Sequence, residues 1–153
     1  MDFIMKQETC SQAEKRYLYL KNVKPVILKD ALFADGTAEY VQMVGGKVRM
    51  RFRTGKNNVS AVYLWAGRDR FPMTRVESAG LFDYYQAEVA CPEEGFKYYF
   101  EVTSGKLSLY YNKRGVHCEH QDYYDFKLVP GFHTPDWAKG AIFYQIFVDR
   151  FYN

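Results

Sequence analysis

The sequence predicts an all-β fold, an antiparallel two-sheet sandwich of seven to eight short strands. Three observations carry this prediction. Between residues 26 and 129, apolar and polar residues alternate with a period of two in several short runs. Gly, Pro, Asn and Asp break those runs at fairly regular intervals. The aromatic residues that favour strands are abundant, with 14 Tyr and 12 Phe.

The elements follow in chain order. Residues 1–24 read as a polar N-terminal extension. Ser11 and Glu14 have capping-box spacing, which suits a short helix over 12–20, although "RYLYL" at 16–20 also alternates like a strand. The sandwich is expected over 25–132. Its clearest strand is "KVRMRFRT" at 47–54, where Val48, Met50 and Phe52 face one way and Arg49, Arg51 and Arg53 the other. The arginine row reads as a solvated sheet face. A turn at 55–58 leads into a strand at 59–66, and a loop is expected at 67–72. A strand at 81–90 is ended by Pro92 and Gly95. The run at 96–104 turns at Gly105 into 107–112 as a hairpin, and 123–129 closes the set. With no convincing helix among these strands, two packed sheets bury the apolar faces most simply.

Composition narrows the function. Hydrophobic residues make up 48% of the chain, which supports a packed core. With 21 basic and 18 acidic residues the net charge is +3, no footprint for nucleic acid. A sheet that binds single-stranded RNA through its aromatics would need a motif and a strand–helix alternation that are absent. Cys10, Cys91 and Cys118, odd in number and irregularly spaced, read as reduced thiols of a cytoplasmic protein rather than a disulfide framework. The N-terminus lacks the apolar core of a signal peptide, and no apolar run reaches the roughly 18 residues of a membrane span. A secreted parent whose leader has been removed is the alternative. "HCEH" at 117–120 lacks zinc-site spacing, so no metal and no cofactor is expected.

The C-terminal segment differs. After a linker at 133–140, residues 142–148 are nearly continuously apolar, as in a parallel strand covered on both faces. The chain ends five residues later, so 141–153 is expected to be the orphan first strand of another domain. Such a strand should be disordered, pair with a sheet edge, or pair with another copy.

"PDWAKGAIFYQIFVDRFYN" at 135–153 resembles the start of the catalytic TIM barrel in α-amylase-family enzymes, glycoside hydrolase family 13, especially the neopullulanase, cyclomaltodextrinase and maltogenic amylase group. The match rests on Pro135, Trp137, Lys139, Tyr144, Gln145, Ile146, Phe147, Arg150, Phe151 and Asn153. Upstream, "RMRFRTGKNNV" (49–59), "WAGRDRF" (65–71), "LFDYYQAEV" (81–89), "FKYYFEV" (96–102), "LYYN" (109–112) and "YYDF" (123–126) resemble the β-sandwich that precedes the barrel, carbohydrate-binding module family 34. The resemblance implies an immunoglobulin-like sandwich. It also implies that Asn153 stands near a calcium site in some relatives, the rest of which would lie beyond this chain.

Retaining glucan hydrolysis needs two carboxylates flanking the scissile bond. In the resembled family they sit on later barrel strands, and Asp149 alone cannot run the reaction, so no catalytic residue is expected here. Sugar binding instead needs an exposed aromatic ring with polar neighbours. Trp65, followed by the small Ala66 and Gly67, is the first candidate, and Tyr63 shares its strand face. Tyr84, Tyr85, Tyr110 and Tyr111 are further candidates, with Asn112 or Lys113 reading hydroxyls. The competing reading places Trp65 in the core and lets the Tyr pairs alternate in and out. The expected partners are an α-glucan oligosaccharide and the parent enzyme's own barrel, with a homodimer through the sandwich or the terminal strand as a further one. The alternative to glucan binding, implied by the resemblance, is a structural domain that mediates dimerisation and shapes the partner subunit's active site.

Overall fold

The computed structural model describes residues 26–131. The expected helix at 12–20, the linker at 133–140 and the strand at 141–153 lie outside the described residues. Ten strands occur within them: β1 (Val41–Val44), β2 (Lys47–Gly55), β3 (Ala61–Ala66), β4 (Asp69–Pro72), β5 (Thr74–Ala79), β6 (Phe82–Ala90), β7 (Phe96–Ser104), β8 (Leu107–Asn112), β9 (Gly115–His117) and β10 (Phe126–Leu128). Single 3₁₀ turns stand at Lys29–Ala31 and Asp122–Tyr124.

Every pairing is antiparallel, in two sheets. One has the order β1-β2-β6-β5; the other is six-stranded, β4-β3-β7-β8-β9, with β10 also paired to β7. The alternation read from "KVRMRFRT" is the structural pattern, with Val48, Met50 and Phe52 fully buried on one side of β2. Across the interior, Val62, Leu64, Phe100, Val102 and Leu109 present the same alternation from β3, β7 and β8. Phe52 and Phe100 bring the sheets together, ring centroids 4.6 Å apart. This is an immunoglobulin-like β-sandwich.

Four of the ten strands, β1, β4, β5 and β9, lie outside the runs that marked a strand in the sequence, and the reason is physical. β5 is exposed along its whole length and carries a bulge between Arg75 and Glu77, so no apolar period marks it. β1 and β9 are short edge strands, of four and three residues. The expected loop at 67–72 is corrected too. Its tip is a turn at Gly67, and Asp69–Pro72 returns along β3 as edge strand β4. The β1–β2 hairpin turns on Gly45 and Gly46, both left-handed at φ 56° and 80°, the requirement of a two-residue hairpin loop.

Candidate binding face

On β3 the period of two that buries Val62 and Leu64 turns Tyr63 and Trp65 to the outer face of the six-stranded sheet. The neighbouring strands set their surroundings. Arg70 of β4 and Tyr99 of β7 flank Trp65 in register. One row over, Tyr63, Glu101, Tyr110 and His117 are successive partners across β3, β7, β8 and β9. The outer face therefore carries a strip of partly buried rings.

The strip is held by a nearly buried carboxylate. Glu101 accepts the Trp65 Nε1–H at 2.8 Å and a forked pair from Arg70, Nε at 3.0 Å and Nη2 at 3.1 Å. Arg70 lies 3.5 Å over the Tyr63 ring. Trp65 and Tyr99 have parallel planes, 7° apart, with centroids 5.8 Å apart. At the far end the His120 imidazole stacks on Tyr99 at 3.8 Å, and its Nε2 meets both oxygens of Asp125 at 2.9 and 3.1 Å. Burial raises the Asp125 pKa, opposed by its contact with His120. Burial, then Asp125, Tyr110 and Glu101, push the Tyr99 phenol up to about 12 against the pull of Arg70.

The sequence-predicted residues divide. Tyr63, Trp65 and Tyr110 come together on this face. Tyr84 lies on the outer face of the other sheet, under the Arg51 guanidinium at 4.8 Å. Tyr85 and Tyr111 turn inward. Tyr85 belongs to the core, and Tyr111 packs on Phe52 and donates its hydroxyl to the Ala34 carbonyl. Asn112 is buried and ties the β8–β9 turn, donating to Gln121 O and accepting from the Arg114 amide. Lys113 is exposed beside it. Arg70, Tyr99, Glu101, His120 and Asp125 join the face without a local sequence signal that marks them as part of it. The period of two in "FKYYFEV" would have turned Tyr99 and Glu101 outward, but nothing in it shows that they neighbour Trp65. Of the two "HCEH" histidines, His117 lies in β9 and His120 serves the ring stack; among the described residues no cluster of ligands is placed to hold a metal.

The fold and this face define an immunoglobulin-like domain with a strip of ordered rings on one sheet. The chain belongs to the family of the alpha amylase N-terminal ig-like domain, which matches residues 27–133. A cyclomaltodextrinase of Geobacillus thermopakistaniensis is 34% identical over 125 residues, 69% of this chain and 21% of that protein. The intracellular maltogenic amylase of Bacillus subtilis is 27% identical over 129 residues, 77% of this chain and 20% of that protein. A solved cyclomaltodextrinase structure superposes with a TM-score of 0.62 at 28% identity, covering 78% of this chain and 23% of that one. The chain thus spans about a fifth of the length of the curated relatives it matches. Among the described residues, no helix is long and apolar enough to cross a membrane.

Proposed function

We propose that this domain binds α-glucan on the outer face of its six-stranded sheet, as the N-terminal, non-catalytic part of a cytoplasmic enzyme that acts on α-1,4- or α-1,6-glucosidic bonds. The observation that carries the reading is the strip of Tyr63, Trp65 and Tyr110 fixed around Glu101 and Arg70. A pyranose offers an apolar face that stacks on such rings, while phenol and guanidinium edges suit its hydroxyls. The names of the relatives, cyclomaltodextrinase and intracellular maltogenic amylase, support both the substrate class and the compartment. In this reading residues 133–140 link the sandwich to a catalytic barrel whose first strand is 141–153, and the catalytic carboxylates belong to that barrel. The test is calorimetry of the chain with maltoheptaose, β-cyclodextrin and soluble starch. Binding that is lost in Trp65→Ala is expected; no binding at millimolar sugar overturns the reading.

A second reading, a structural domain that docks on a partner subunit, is favoured by a different feature. At the end of the sandwich where the described residues begin, an open groove is lined by Ile27, Leu28, Ala31 and Phe82, and Val26, Leu28 and Leu81 are exposed beside it. Sedimentation of the parent enzyme with and without this domain tests it. A dimer that becomes a monomer supports docking, and an unchanged mass removes it.

A further inference from the structure

The His120 imidazole covers one face of Tyr99 at 3.8 Å with planes 18° apart. That is the place and the distance at which a sugar ring would stack on this tyrosine. His120 stands in the segment between β9 and the Asp122–Tyr124 turn, outside any strand. What holds it there is the Asp125 carboxylate, whose two oxygens both face Nε2. The opposite end of the strip has a matching arrangement, in which Arg70 lies over Tyr63 and forks onto Glu101.

We propose that Tyr99 is a further sugar-stacking position, concealed by His120, and that deprotonation of the His120–Asp125 pair uncovers it. The inference rests on the glucan-binding reading of the same face. Histidine is the side chain whose ordinary titration falls between about pH 5 and 8. Protonated, His120 binds Asp125 through a charge-assisted hydrogen bond, roughly twice as strong as the neutral one. The cover is therefore tight on the acidic side and looser above the histidine range. Tyr99 from β7, Tyr110 from β8 and the 3₁₀ turn's Asp122 are the titratable groups packed around the pair, with Lys97 acting on Asp125, and Glu101 and Arg70 on Tyr99. Of these side-chain types histidine alone ordinarily changes charge near neutral pH.

The test uses the whole chain and maltoheptaose, with calorimetry at about pH 5.5 and about pH 8. Wild-type affinity rises about five-fold between the two, the effect of loosening one charge-assisted bond. His120→Ala binds at the higher level at both pH values, and His120→Ala with Tyr99→Leu loses that gain. A His120→Ala chain that binds no better than wild type at acidic pH overturns the concealed position, because His120 is then part of the surface rather than its cover. The cover has its own readout without sugar, the NOE between the ring protons of His120 and Tyr99, which reports their distance. An NOE that fades at alkaline pH supports the release, and one that persists unchanged overturns it. If no variant binds sugar at either pH, the glucan-binding reading fails and the stacking position with it, while the NOE still decides whether the cover moves.

Discussion

The Trp65 indole Nε1–H donates to Glu101 Oε2 across 2.8 Å, and the same oxygen accepts from Arg70 Nε at 3.0 Å. One carboxylate thereby orients the Trp65 ring and the Arg70 cation over Tyr63 within one sheet face. Glu101→Ala removes the shared acceptor and leaves the Arg70 charge over the rings. Because Arg70 reaches solvent, the expected cost is about 2 kcal/mol, less than for a fully buried pair. Glu101→Gln keeps an acceptor for Trp65 and costs less. Urea unfolding followed by tryptophan fluorescence measures both, and equal stability of Glu101→Ala and wild type would show that the carboxylate organises nothing.

Tyr84 and Trp65 belong to different sheets, and this separates their roles. Tyr84→Ala should leave glucan affinity within about two-fold, since distant sites act independently. It should cost about 0.5–1 kcal/mol of stability through the lost Arg51 contact. Calorimetry and urea unfolding of this variant beside Trp65→Ala check the assignment. A large affinity loss in Tyr84→Ala would move the binding face to the four-stranded sheet.

Phe100 is the buried ring that meets Phe52 from the facing sheet at 4.6 Å. Phe100→Ala leaves a cavity between the sheets and should destabilise the domain by about 4 kcal/mol. The loss reads directly in the urea midpoint at unchanged slope.

Gly95 lies in close backbone contact with the end of β10. Its φ is 74°, and a Cβ placed there would stand 1.9 Å from the Leu128 carbonyl oxygen. Gly95→Ala must therefore push β10 away from β7, at a cost of at least about 2 kcal/mol from the clash and the left-handed φ together. Hydrogen exchange should show lost protection at Phe126 and Leu128, while β2 and β6 keep theirs.

Two buried carboxylates give the domain opposing pH dependences. At Asp83 burial raises the pKa, but the Asn57 amide, the Ser78 hydroxyl and Arg75 outweigh it and hold the group below its ordinary value. Its contribution is present above the ordinary carboxylate range and is lost as pH falls through the lowered folded value. Asp125 is raised, so its contribution is present at low pH and is lost as pH rises through the raised value. Asp83→Asn should flatten the acid limb of the stability curve, measured as urea midpoints from about pH 3 to 6. An acid limb as steep as wild type would show that Asp83 does not carry it.

Much of the fold was legible because burial writes a period into sequence. β2, β6, β7 and β8 each bury one face, and their alternation marked them within a residue or two of their observed bounds. β5 was invisible for the converse reason, since a strand exposed on both faces has no period to read. The site was legible only in part. Period two placed Tyr63 beside Trp65, and it predicted that adjacent tyrosines alternate without saying which of each pair points outward. Tyr85 and Tyr111 proved to be the inward members, Tyr84 and Tyr110 the outward ones.

By itself, then, the sequence determined the strand class, the inward row of β2, and the family to which the chain belongs, all consequences of residues near one another along the chain. Only the tertiary structure decided that Tyr99 and Glu101 neighbour Trp65, that Arg70 closes one end of the strip and that His120 covers the other. Those relations depend on which strands pair and in what register. Pairing is set by packing across the whole sandwich, between residues as far apart as Trp65 and Glu101, and no local pattern records it.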